Sequence, residues 1–228
     1  MACGGWGRCE ALARRLVTRS RTAAVIAVLA VGACGSPYYT SDPIEAWVVD
    51  ADTGKPIEGA IVVASWQLLG FTLDTGGSRN HQLAVMETVT DKNGRFSFPG
   101  FTRVNFRLEK LGEEDPRVLI FKPGYLVATG QSSYPADATA LGAHRRSRLI
   151  GKSIVLNAAD ANADGYIRSL GNISSLLMDL WIGDQITNAQ VLLNAAVCEK
   201  RRLHSTQGNR FVLSLPGETL VEGKCDAK

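Results

Sequence analysis

The feature that most constrains the fold of this 228-residue chain is a succession of short apolar runs between Ile44 and Leu156, each broken off by turn-forming residues. Ile44 to Val49 leads into Asp52-Thr53-Gly54-Lys55-Pro56, and Ala60 to Gln67 follows. Ala84 to Thr90 leads into Asp91-Lys92-Asn93-Gly94, where Asn-Gly takes positive φ at little cost, so a hairpin with Arg95 to Phe98 as return strand is expected. Val104 to Leu108, Val118 to Phe121, Tyr125 to Ala128 and Ser153 to Leu156 are four further short strands. Many short strands with turns between them predict an antiparallel sandwich, and the two-residue period puts Phe96 and Phe98 on one face.

Three blocks carry a more specific likeness: Val48-Val49-Asp50-x-x-Thr53-Gly54-x-Pro56-Ile57-x-Gly59-Ala60-x-Val62, then Thr88-x-Thr90-Asp91-x-x-Gly94-Arg95-Phe96, then Lys122-Pro123-Gly124-Tyr125. Residues 44–156 thereby resemble a carboxypeptidase regulatory-like domain, which implies a transthyretin-like, mainly β sandwich. Leu69 to Asn80 and Gly130 to Arg148 are longer and more polar than the loops of that family need. Long loops on a rigid scaffold often carry binding, and a tolerated insertion is the other reading.

After Leu156 the period changes. Ile167, Leu170, Ile173, Leu177, Leu180 and Trp181 fall on one helical stripe, and Ile186, Ala189, Leu193 and Val197 on a second, with Gly183 between them. The expectation for residues 157–228 is a helical extension: a hairpin of helices over Tyr166–Trp181 and Gln185–Leu203, packed by its apolar face on the sandwich, and a last strand-like run from Phe211 to Leu215.

Residues 1–33 have the layout of an export signal. Five arginines and a single acid precede Thr22, and a dozen apolar or small residues from Thr22 to Ala33 stop before Cys34. A permanent membrane span needs roughly 20 residues, so this run predicts a removable signal. Val31-Gly32-Ala33-Cys34 resembles the lipobox of bacterial lipoproteins, which implies a diacylglycerol thioether on Cys34, palmitate-type acylation and an outer-membrane location facing the periplasm, since no aspartate follows Cys34. An ordinary signal-peptidase site, with Val31 and Ala33 as its small residues, is the alternative. Arg14-Arg15 hints at export of a folded chain, though Leu16-Val17-Thr18 continues that pattern poorly. Residues 34–43 read as a short tether.

Loss of the signal changes the charge argument. Of 25 basic and 22 acidic residues, the signal takes five and one, leaving 20 against 21. A near-neutral mature chain removes the main support for nucleic-acid binding. Cys3 and Cys9 leave with the signal and Cys34 is taken by lipid, so Cys198 and Cys225 remain as a pair, either bridged or as two buried thiols. An oxidising envelope favours the bridge.

Catalytic and metal motifs of recognised spacing are absent. His81 is followed three residues on by Ala84, His144 by Ser147 and His204 by Gln207, so no histidine opens an H-x-x-E zinc pair. Gly151-Lys152-Ser153 imitates the end of a phosphate loop, but Arg146 stands where its first glycine belongs. Asp160-x-Asn162-x-Asp164-Gly165-x-Ile167 matches the opening of a calcium loop, but Gly171 replaces the closing glutamate, so an Asp/Asn/Gly turn capping a helix competes with a calcium site on Asp160, Asn162 and Asp164. His144-Arg145-Arg146-Ser147-Arg148 is a basic cluster suited to anionic headgroups or to solvent. The sequence thus leads to the expectation of no enzyme and no cofactor. It predicts a lipid-anchored envelope protein that binds or scaffolds, with the membrane, an envelope protein or a glycan as partner. An accessory subunit of a separate envelope hydrolase and a structural component of an envelope complex are the alternatives.

Overall fold

A computed structural model describes residues 38–71, 78–104, 110–111, 116–131, 137–138, 143–159, 164–207, 213–221 and 225. The chain is mainly β, with strands β1 (Tyr38–Ser41), β2 (Ile44–Asp50), β3 (Ile61–Phe71), β4 (Ser78–Val89), β5 (Arg95–Phe98), β6 (Phe101–Val104), β7 (Lys110–Leu111), β8 (Arg117–Phe121), β9 (Ala128–Gln131), β10 (Asp137–Ala138), β11 (Ala143–Arg145) and β12 (Ser153–Leu156). Helices α1 (Asp164–Ile182) and α2 (Gln190–Gln207) follow, with a 3-10 turn at Ile186–Ala189 leading into α2.

Three sheets form. The largest has the order β4-β3-β8-β9, with β7 also on β3; a second has β12-β2-β5; a third, smaller one has β10-β11-β1-β6. The main sheet is apolar on both faces, and its sequence explains why. Ile61↔Phe121 and Val63↔Leu119 pair across β3 and β8 on one face, Val62↔Ile120 and Ala64↔Val118 on the other. All eight side chains are buried. The second set packs with Ile44, Ala46, Val48, Phe96 and Phe98 of the β2–β5 sheet. The first set packs with Tyr166, Leu170, Ile173, Leu177 and Leu180 of α1 and Leu192, Leu193, Ala196 and Val197 of α2. The result is a β-sandwich with a helical third layer, so Ile61 to Ala64 of β3 reads as a continuous apolar run instead of an alternating one.

The chain has two distinct ends. At one, called the Asp50 end, β2 finishes, β3 begins, β8 finishes and α1 starts beside Gly124, whose N–H lies 3.4 Å from the Tyr166 hydroxyl. At the other, the Tyr38 end, β1 enters, Trp66 stacks edge-on against Phe98 and Phe101, and α1 finishes beside Arg117.

Several expectations change. Residues 38–43 are not a tether: β1 pairs with β6 and β11, and Tyr39 is fully buried against Phe101. The turns at Asp52–Pro56 and Asp91–Gly94 carry the chain from one sheet to the other, because β2 pairs with β5 and β12 while β3 pairs with β4 and β8. In the polar segment Leu69 to Asn80, residues 69–71 and 78–80 are strand, since β3 and β4 stay paired out to Phe71↔Ser78, and residues 72–77 lie outside the described residues. Part of Gly130 to Arg148 forms β10 and β11. Of Val104–Leu108, only Val104 is described, as the last residue of β6. Tyr125 makes an isolated bridge to Ala158, and the strand there starts at Ala128. Leu213 to Leu215 is not strand; Phe211 lies outside the described residues. Trp181 is not on the buried stripe, where Leu176 stands as well.

The break between the helices is a Schellman end. Gln185 N–H donates to the Leu180 carbonyl at 2.8 Å and Asp184 N–H to that of Trp181 at 3.2 Å. Asp184, not Gly183, takes the left-handed position, with φ 54°. At Gly183 a Cβ would meet the far end of the Gln82 side chain, which would have to turn aside from its bond to the Asp179 carbonyl.

Candidate functional site

At the Asp50 end the residues of all three sequence blocks meet in one hydrogen-bonded network. Asp50 Oδ1 accepts from the Thr53 hydroxyl at 2.7 Å and the Thr53 N–H at 2.8 Å, and Oδ2 accepts from the Tyr125 hydroxyl at 3.0 Å. The bonds from Thr53, helped by Tyr125, hold the Asp50 carboxyl below the usual carboxylate range, and the Asp50 carboxylate pushes the Tyr125 phenol up. Thr90 is buried and its hydroxyl both donates to the Ile57 carbonyl at 2.7 Å and accepts from the Ala60 N–H at 2.8 Å. Gly94 sits so close to the Val48 carbonyl that a Cβ has no room. In this network the three blocks act as the joinery of the sandwich.

A second set of polar groups fastens the helices to the main sheet. Glu87 on β4 accepts the N–H of Val191 and of Leu192, at 2.8 and 2.7 Å, in the first turn of α2. Burial pushes its carboxyl above the usual range, against the pull of those two bonds. Arg117 on β8 pairs with Asp179 on α1 at 2.9 Å, and Gln82 Nε2 donates to the Asp179 carbonyl at 3.2 Å. Between α1 and α2, the Tyr166 hydroxyl donates to Glu199 at 2.6 Å, and Arg202 forks onto both oxygens of the same carboxylate at 2.5 and 2.9 Å. Burial raises the phenol of Tyr166, and Glu199 adds to that shift. Burial also works against the Glu199 carboxylate, yet the bonds from Arg202 and Tyr166 outweigh it and its pKa lies below the ordinary value. None of these pairs was foreseen from the sequence. Apart from the local i,i+3 pair of Glu199 and Arg202, their partners are far apart in sequence, up to 105 residues, where no local spacing announces them.

The sequence candidates scatter. Cys198 and Cys225 form a disulfide, with Cα atoms 5.3 Å apart, and Arg201 Nη1 lies 3.6 Å from Cys225 Sγ. Cys34 lies outside the described residues, as do Asp160 and Asn162. Asp164 is the first residue of α1, and Gly165 and Ile167 are helical, so Gly165 does not make the sharp turn that a calcium loop needs. Among the described residues no group of three His, Cys, Asp or Glu side chains could hold a metal ion. Gly151-Lys152-Ser153 is a turn into β12, with Gly151 at φ 73°. His144, on β11, pairs with Asp42 at 2.7 Å, which ties the start of the basic cluster to the segment after β1. Among the described residues no helix is long and apolar enough to cross a membrane.

No protein-family profile matches the chain, and no curated protein matches it. Solved structures do. The 3-chlorocatechol 1,2-dioxygenase of Rhodococcus opacus is 15% identical with a TM-score of 0.31, over 54% of this chain and 61% of that one. The dioxygenase domain of a carbohydrate-binding fusion from Streptomyces sp. SirexAA-E is 16% identical with a TM-score of 0.30, over 55% and 83%. The C-terminal domain of the shaft pilin SpaA from Lactobacillus rhamnosus GG is 15% identical with a TM-score of 0.24, over 54% and 98%. This chain therefore spans less than two thirds of the Rhodococcus enzyme.

The expectation of no enzyme is corrected by these matches, since dioxygenases stand among them. A sandwich can draw catalytic groups from several strands and loops, so the absence of a contiguous motif does not exclude catalysis. At these TM-scores the likeness assigns no activity to this chain.

Proposed function

We propose that this is a lipid-anchored cell-envelope protein, held through Cys34 in the outer membrane and facing the periplasm, whose carboxypeptidase regulatory-like sandwich acts as a binding or scaffolding module. The observation that carries the anchor reading is how near to Cys34 a buried strand lies. Tyr38, four residues after Cys34, is already in a strand, and Tyr39 is fully buried. Four residues reach about 14 Å at most, so a lipid on Cys34 holds the body directly at the bilayer surface. The disulfide supports an oxidising compartment. The three motif blocks support the family reading, because each of them supplies a bond or a close approach that this sandwich uses.

The test of the anchor is the intact mass of the protein purified from membranes of its bacterial host, with and without reductant. A mass for residues 34–228 plus a lipid increment, rising by two hydrogens on reduction, is the expected result. An unmodified chain overturns the anchor. Cross-linking in living cells then separates the roles. Glycan or lipid alone supports a binding module, a single stoichiometric protein supports an assembly component, and a peptidase or glycosidase supports an accessory subunit of a hydrolase.

A further inference from the structure

Exposed apolar side chains are not spread evenly over this surface. On α1, Met178, Trp181 and Ile182 stand three and four residues apart, all exposed, with Ile182 at 70% and Trp181 at 47%. On the β1–β6 ladder Tyr38 faces Val104 in register, and both are exposed, at 52% and 42%. Both groups lie toward the Tyr38 end, α1 on one face of the main sheet and the β1–β6 ladder on the other. Arg117 joins the end of α1 to the end of β8 that pairs with Ser65, and Tyr39 packs on Phe101, which packs on Trp66, the next residue of β3. Among the described residues the other large exposed apolar side chains are the aliphatic Val89, Val155, Val191 and Leu220, which are scattered over β4, β12, the start of α2 and the tail. The two large exposed aromatics among the described residues, Tyr38 and Trp181, thus lie toward one end of the fold. On the other face of β6 from Val104, Arg103 is exposed and stacked over Phe101 at 5.8 Å, which puts a cation at the same end.

We infer that the Tyr38 end lies against the lipid bilayer, with Trp181 and Ile182 of α1 and Tyr38 and Val104 of the β1–β6 ladder as its contact residues. The inference rests on the anchor reading. A chain held at Cys34 has no more than about 14 Å between its lipid and Tyr38, too little to turn this end away from the surface. Tryptophan and tyrosine favour the membrane–water interface because an apolar ring and a polar N–H or O–H suit its two sides. A membrane also accounts for exposed apolar residues that stand on two separate elements.

The test uses the lipidated protein, purified from host membranes and reconstituted into vesicles of phosphatidylethanolamine and phosphatidylglycerol with brominated acyl chains. The chain has four tryptophans, of which Trp6 leaves with the signal, Trp66 is fully buried and Trp47 is on β2. The expected result is that bromine lowers the Trp181 component by about twofold or more, that Trp181→Phe abolishes this quenching, and that Trp47→Phe leaves it in place. Trp181 is half exposed, so its replacement leaves the core intact. The mass of the same sample is measured alongside. Lipidated protein quenched equally with and without Trp181 overturns the inference and keeps the anchor. A sample without the lipid increment overturns the anchor, and the inference falls with it.

Discussion

Glu87 on strand β4 accepts the backbone N–H of Leu192 at 2.7 Å, and of its neighbour Val191 at 2.8 Å, across 105 and 104 residues of sequence. Those two amides are in the first turn of α2 and have no carbonyl a turn earlier in an α-helix to bond to. The cap is therefore supplied by another layer of the fold. Glu87→Ala is expected to lower the unfolding free energy by about 1 to 2 kcal/mol, read by urea denaturation. Glu87→Gln, which keeps one acceptor oxygen, is expected to lose less. An unchanged midpoint for Glu87→Ala would mean that solvent serves α2 equally well.

Glu199 and Tyr166 set opposite limits on the pH range of the helical layer. The pKa of Glu199 is below its ordinary 4.5 in the fold, so the stability it brings is complete above that value and is lost as pH falls through the lower, folded value. Tyr166 has a pKa above its ordinary 10, so its contribution is complete below 10 and declines as pH rises beyond it. The expected profile is a plateau with both shoulders, followed by thermal melts across pH. Tyr166→Phe is expected to flatten the alkaline shoulder and to cost about 1 to 3 kcal/mol, because a buried carboxylate loses a donor.

Removal of the Cys198–Cys225 bridge by a double change to serine is expected to cost about 3 to 4 kcal/mol in the chain-entropy view. The tail it holds buries Leu213, Leu215 and Val221 against the helices. Limited proteolysis should therefore cut first between residues 207 and 225 in the reduced protein and not in the oxidised one.

The turn between the helices offers a pair of opposite outcomes one residue apart. Asp184→Gly relieves a left-handed conformation and is expected to stabilise by about 1 kcal/mol. Gly183→Ala is expected to destabilise, since its Cβ displaces the Gln82 side chain from its bond to the Asp179 carbonyl. The two melting temperatures should move in opposite directions.

The sandwich and both helices were legible because their signals are local. Asn93-Gly94 announces a turn, and the stripe from Leu170 to Leu180 announces a buried helix face. What a turn does not announce is the partner of the strand that follows it. β5 turns away from β4 to pair with β2, and the choice is made by apolar faces far apart in sequence. β1 has no signal of its own in the sequence, because four residues carry too little period, although Tyr39 anchors it. The bridge needed only the count of cysteines left over, whereas Glu87, Arg117 and Glu199 look like any surface charge until the helices are laid on the sheet.

The paired centre of the main sheet, β3 and β8, has no face made for water, and this bears on how the chain comes into being. β3 and β8 are complete by Phe121, but the helices that cover Ile61, Val63, Leu119 and Phe121 are finished only at Gln207. A chain that emerges amino-terminus first from a ribosome or a translocation channel therefore shows this apolar face before its cover exists. Its folding has to wait for its last third, and a fragment cut at Leu156 would keep that face open and tend to self-associate.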